Sequence, residues 1–162
     1  MTEDEKLSLE EWHKKMAVDL FNFTWTLIEK KKRTQEDNDQ MISAAHASRY
    51  HWSQRVLMGA GKPINLGRGD WQISRVYAVL KRAEPARYHA HRYLDICKEH
   101  NIGDWDLAYA YEALARAAAV AGDQKETTKY LKLAKGAGEK IEDKETRKMF
   151  FGDLETIPGY KA

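Results

Sequence analysis

Residues 103–124 read "GDWDLAYAYEALARAAAVAGDQ", and residues 69–83 read "GDWQISRVYAVLKRA". The two phrases start 34 residues apart, and their likeness runs past the shared Gly-Asp-Trp. Ile73 matches Leu107, Ser74 matches Ala108, Tyr77 matches Tyr111, Leu80 matches Leu114, and Arg82 with Ala83 match Arg116 with Ala117. Apolar and small residues recur in both at spacings of three and four, the period of an amphipathic helix. A phrase repeated at about 20–50 residues marks stacked units, each leaving an apolar face for its neighbour to cover.

The same spacing extends outward in both directions. Proline occurs only at Pro63, Pro85 and Pro158, none of which need sit inside a helix, and no stretch alternates like a strand. The chain is therefore expected to be all-α, with about seven helices. The first starts at Ser8, which forms a capping-box pattern with Glu11, and carries a stripe of Leu9, Trp12, Met16, Leu20, Phe23 and Leu27. It closes on Lys30 to Arg33, cations that suit a helix C-terminus. The second runs from about Thr34 to Leu57, with Met41, Ala45, Ser48, Trp52 and Val56 facing inward. "GAGKPINLGRG", residues 59–69, has four glycines in eleven positions and reads as a connecting loop. A phosphate loop would need a preceding strand, a wider glycine spacing and Ser or Thr after the lysine, where this chain has Pro63. Asp70 and Asp104 read as N-caps, with Trp71 and Trp105 opening their helices. Gly122 closes a helix, Asp123 with Glu126 starts the next, and a last helix over roughly 143–155 stops at Pro158 and Gly159.

Tyr111, Leu114 with Ala115, the turn Gly122-Asp123, and Leu131 with Ala134 together resemble the tetratricopeptide repeat family, the likeness being strongest over 104–141. Thr127 stands where that family has alanine, and its closing proline is missing. The upstream copy, 69–100, fits the frame with Ala86 as the small residue of its second helix, which puts the two copies 41 residues apart rather than 34. Hairpin starts would then repeat at 34 and hairpin turns at 41, so the Trp105 helix is expected to outrun the Trp71 helix by two turns. The resemblance implies one domain over 1–162, a short right-handed superhelical stack of antiparallel hairpins. Its parts are an atypical hairpin at 8–58, repeat-like hairpins at 69–100 and 104–141, and a capping helix at 143–157. The chain also resembles bacterial proteins of this type that have no assigned activity.

Bulk composition narrows the function. The net charge of the 162 residues is +2, which gives no reason to expect nucleic acid. Cys97 is the single cysteine, the opening "MTEDEK" has no apolar core, and no run of about 18 apolar residues exists, so the expectation is a cytoplasmic protein with no membrane segment. No nucleophile–base pattern stands out, and the expectation is a non-enzymatic protein without a cofactor. Six histidines raise the alternative of a metal-binding helical protein or a metal-dependent enzyme. On a helix, His46 and His51 lie about 140° apart and His89 and His91 about 200° apart, so neither pair converges on one ion. A site would have to be assembled across helices, for instance from His13, His46 and His89; otherwise His46 and Tyr50, one turn apart, form a polar seam.

In stacked hairpins the first helix of each pair lines the concave face. In the 41-residue frame Arg75 and Arg116 take equivalent outward positions there, with Arg68, Trp71, Tyr109 and Glu112 on the same side. Arginine among aromatics is the composition of recognition hot spots, and its guanidinium grips carboxylates bidentately. The expectation is an unknown protein or peptide partner, acidic in character. The competing reading pairs these arginines with nearby acids on a solvated face. The aromatic first helix, with Trp12, Phe21, Phe23 and Trp25, could also seat a homodimer or a self-association module.

Overall fold

A computed structural model describes residues 6–162, and every regular element among them is helical. The seven helices are α1 (Leu9–Ile28), α2 (Gln35–Leu57), α3 (Pro63–Val79), α4 (Ala83–Glu99), α5 (Asp104–Val120), α6 (Gln124–Gly138) and α7 (Lys144–Leu154). The chain divides into two compact units, one ending at Gly69 and one beginning at Asp70, with the division inside α3.

In the first unit, reciprocal capping boxes start both long helices. Ser8 and Glu11 cap α1, and Thr34 and Asp37 cap α2. The basic run closes the turn between them: Arg33 donates to the carbonyls of Ile28 and Lys30, both at 3.1 Å, and Lys30 reaches Asp37 at 2.7 Å. α1 and α2 are antiparallel, because contacts climb one as they descend the other: Glu10 to Arg55, His13 to His51, Ala17 to Ser48. The buried line of α1 is His13, Ala17, Thr24 and Leu27. Leu9, Trp12 and Phe23, expected in the apolar stripe, are exposed. Small residues take the seam because the backbones come close enough for Ser48 Oγ to donate to the Ala17 carbonyl at 2.7 Å.

The glycine-rich loop is shorter than its composition suggests. Only residues 59–62 turn, and α3 starts at Pro63, where a missing N–H costs nothing. Gly69 is therefore not a turn residue. A Cβ there would meet Arg49 Cγ at 2.9 Å and Cβ at 3.1 Å, so glycine lets α3 approach α2.

The second unit corrects the reading of the doubled phrase. Asp70 is no N-cap; it lies inside α3, 1% exposed, with Oδ1 2.8 Å from His89 Nδ1. Asp104 does not cap its own helix either. Gly103 is the N-cap, and the Asp104 carboxylate accepts instead from the Glu142 amide at 3.1 Å, ahead of α7. α3 and α5 are both 17 residues long, so the expected two-turn difference is absent. Their bounds, and the starts of α4 and α6, are related throughout by 41 residues. The turns match in detail. Lys81 (φ 59°) and Gly122 (φ 74°) are both left-handed. Arg82 N donates to Tyr77 O at 2.8 Å, as Asp123 N does to Ala118 O at 3.0 Å.

α4 packs antiparallel on the second-unit part of α3, with Ser74 Oγ donating to the Ala86 carbonyl at 2.8 Å. α5 is buried along most of its length by alanines, and Tyr93 of α4 donates to Asp106 of α5 at 2.6 Å. α6 pairs with α5, and α7 rests against both, its Phe150 fully buried. No described helix is long and apolar enough to cross a membrane.

Two glycines in α6 should respond oppositely to alanine. At Gly138 a Cβ would lie 2.4 Å from the Phe150 ring, whereas at Gly136 it meets nothing within 4 Å. Gly138→Ala is expected to destabilise by about 1–3 kcal/mol through overpacking. Gly136→Ala should stabilise by about 0.5–1 kcal/mol through helix propensity. Thermal unfolding of the two variants beside the parent checks both signs.

Candidate functional site

Along α5, Glu112 and Arg116 are one turn apart and so share a face. In the 41-residue register Arg75 of α3 is the counterpart of Arg116, and Trp71 of Glu112. The consequence is a charged cluster in the second unit, centred on one carboxylate. Glu112 is fully buried. Its Oε1 accepts from Arg116 Nε at 2.8 Å and pairs with Arg116 Nη2 at 2.6 Å, while Arg75 Nη2 approaches the same oxygen at 3.4 Å. Its Oε2 is buried and receives no hydrogen bond from the described residues.

The C-terminal segment completes the cluster. Arg116 Nη2 also donates to the Asp153 carbonyl at 3.0 Å and to Thr156 Oγ1 at 2.9 Å. Tyr109 donates its hydroxyl to Asp153 Oδ2 at 2.6 Å and meets Trp71 and Phe150 edge-on, with centroids 5.5 and 5.0 Å apart. The Arg75 guanidinium lies 6.0 Å from the Trp71 ring centroid. Burial pushes the Arg75 pKa down, and the Glu112 charge opposes that shift. Burial pushes the Tyr109 phenol up, and its bond to Asp153 pushes it further. The phenol therefore acts as a fixed donor.

Arg75 and Arg116 border a cavity of about 410 Å³, walled by Ala78, Val79, Ala119, Val120 and Pro158, with Lys81 on its lining. A second cavity, about 470 Å³, shares Ala119 and Pro158 and is lined by Gln124, Thr127 and Thr128 among others. Cationic groups thus meet a short-chained apolar wall, and hydroxyl and amide groups lie beyond Pro158.

The expected surface residues fall in different places. Trp71, Arg75, Tyr109, Glu112 and Arg116 come together. Arg68 lies in the first unit, lining a cavity of about 230 Å³ with Val18, Phe21, Trp52, Asn65 and Gly69. Arg75 and Arg116 are not outward residues: their side chains are 15% and 13% exposed, and Glu112 is interior. One nearby acid, Glu112, pairs with both arginines, as the competing reading has it, but through a buried carboxylate rather than on a solvated face. Lys81, Asp153, Thr156 and Pro158 were missed. The 41-residue register sets Lys81 only against the turn residue Gly122, and nothing local in the sequence marks the other three.

The histidines take a different arrangement from the one expected. His13 meets His51, not His46, with Nδ1 atoms 2.8 Å apart. His46 and Tyr50 lie at exposed positions of α2, and His89 belongs to the second unit with Asp70. No group of three or more potential metal ligands comes together among the described residues. Comparison with protein-family models, curated proteins and solved structures found no match to the chain.

Replacing Glu112 with alanine should cost about 3–5 kcal/mol, because two largely buried guanidinium groups would lose the carboxylate they share. Urea unfolding followed by circular dichroism measures it. The exposed Glu142→Gln should shift stability by no more than about 0.5 kcal/mol.

Proposed function

We propose that the protein is a non-enzymatic, tetratricopeptide-like module that binds a protein or peptide segment through the groove between α3 and α5, and that the bound segment carries carboxylates. The observation that carries this reading is the pairing of Arg75 and Arg116 at one register position of successive hairpins, both bordering an apolar-walled cavity together with Lys81. The regular 41-residue register supports the likeness to tetratricopeptide repeats, whose hairpin-first helices face the ligand. The charges support the sign of the partner. Arg75, Arg116 and Lys81 outnumber the two carboxylates in the cluster, Glu112 and Asp153, and both of those already accept hydrogen bonds. Apolar walls with a few convergent polar groups suit a peptide side chain better than a flat contact.

The test is a synthetic peptide array, followed by fluorescence anisotropy of the best binder at several salt concentrations. Acidic peptides should dominate, and binding should weaken as salt rises. Lys81→Glu, at an exposed position, should lower affinity by about tenfold or more without moving the melting temperature. Arg75→Lys, which keeps the charge and loses the planar fork, should weaken binding by a smaller factor. An array with no acidic preference, or binding indifferent to both substitutions, would overturn the reading.

A further inference from the structure

The first unit holds a histidine pair that the groove does not use. His13 is 8% exposed and His51 is half-buried, on antiparallel α1 and α2. Their Nδ1 atoms are 2.8 Å apart and their ring centroids 5.1 Å apart. A five-membered ring with bonds of about 1.33 Å has a radius of about 1.1 Å. Centroids this far apart at this contact therefore mean that the two nitrogens point straight at each other. A metal ion, bound at about 2.0–2.1 Å from each nitrogen, does not fit on that line. The contact is an N–H···N hydrogen bond, which holds one proton between the two Nδ1 atoms. It survives when the pair is neutral or carries one extra proton. It is lost when both rings are fully protonated, which also sets two like charges side by side.

We propose that the His13–His51 pair is a pH-sensitive latch that ties the start of α1 to the end of α2 at neutral pH and releases it in acid. Burial lowers the His51 pKa, and a charge on His13 lowers it further. A base whose folded pKa is depressed contributes stability above its unfolded value of about 6.5 and loses it as pH falls below that value. The charged neighbours on the two helices are Glu10 and Arg55, which pair with each other across the same interface. Rings also flank the pair: Trp12 lies edge-on to both imidazoles at 5.2 Å, and Tyr50 to His51 at 5.7 Å. Release frees the first turns of α1, where Leu9 and Trp12 are already exposed.

Native-state hydrogen exchange of the α1 amides between pH 7.5 and 5 tests the latch, after correction for intrinsic exchange. The opening constant should rise by up to about tenfold per pH unit below about 6.5, the limit for one extra proton taken up on opening. His51→Gln, whose amide can bond His13 but takes up no proton, should flatten that slope. Equal slopes in both proteins, or none in the parent, would sink the proposal. An NMR titration of the imidazoles in the unaltered protein decides independently of any variant. His51 should stay neutral where exposed histidines charge, and a His51 curve centred near about 6.5 overturns the latch.

Discussion

Helix backbones in this protein touch, and most of its structure follows from that. Ser48 reaches the Ala17 carbonyl and Ser74 reaches the Ala86 carbonyl, at 2.7 and 2.8 Å. A serine side chain is one carbon long, so each bond requires helices packed at the short end of the usual 8–10 Å range. Large side chains cannot occupy such a seam, and alanines fill it: Ala17, Ala44 and Ala45 in the first unit, Ala86, Ala90 and the α5 alanines in the second. Each hydroxyl is buried and bonded, which removes the penalty of an unsatisfied donor. Bulky apolar residues are displaced to the flanks, which is why Leu9, Trp12 and Phe23 stay exposed.

Local features were legible in the sequence and remote ones were not. The caps at Ser8 and Asp123 could be read because donor and acceptor lie three residues apart. Gly69-Asp70 was misread because glycine followed by aspartate is also how a helix begins. The contacts that explain those residues, Arg49 and His89, lie 19 or 20 positions away. The 34-residue match compares the middle of one helix with the start of another. The 41-residue register, set by the turns, is the one that relates helix to helix, and it led to Arg75 and Arg116. Periodicity could not place Glu112 inside, because a glutamate at a seam position looks like any solvated acid until its two arginines are known. The partner of His13 was misassigned: spacing along one helix set His51 against His46, and the cross-helix set took His46 in its place, whereas the contact runs from His13 to His51 across the hairpin.

The shared carboxylate of Glu112 is better understood as a positioning device than as a source of stability. Burying charges costs several kcal/mol each, and the attraction between them often only repays that cost. What the cluster does is fix direction. Arg116 is held by Glu112, the Asp153 carbonyl and Thr156, so its long side chain has already lost most of its rotamer freedom. Arg75 lies over Trp71 with its side chain largely buried, and that desolvation lowers its pKa. An anion entering the groove would meet guanidinium groups whose ordering cost belongs to folding rather than to binding. It would also restore solvation that burial has removed. With Lys81 on the lining, three cations stand against the carboxylates of Glu112 and Asp153, and that one-charge excess is the physical reason the proposed partner is acidic rather than neutral.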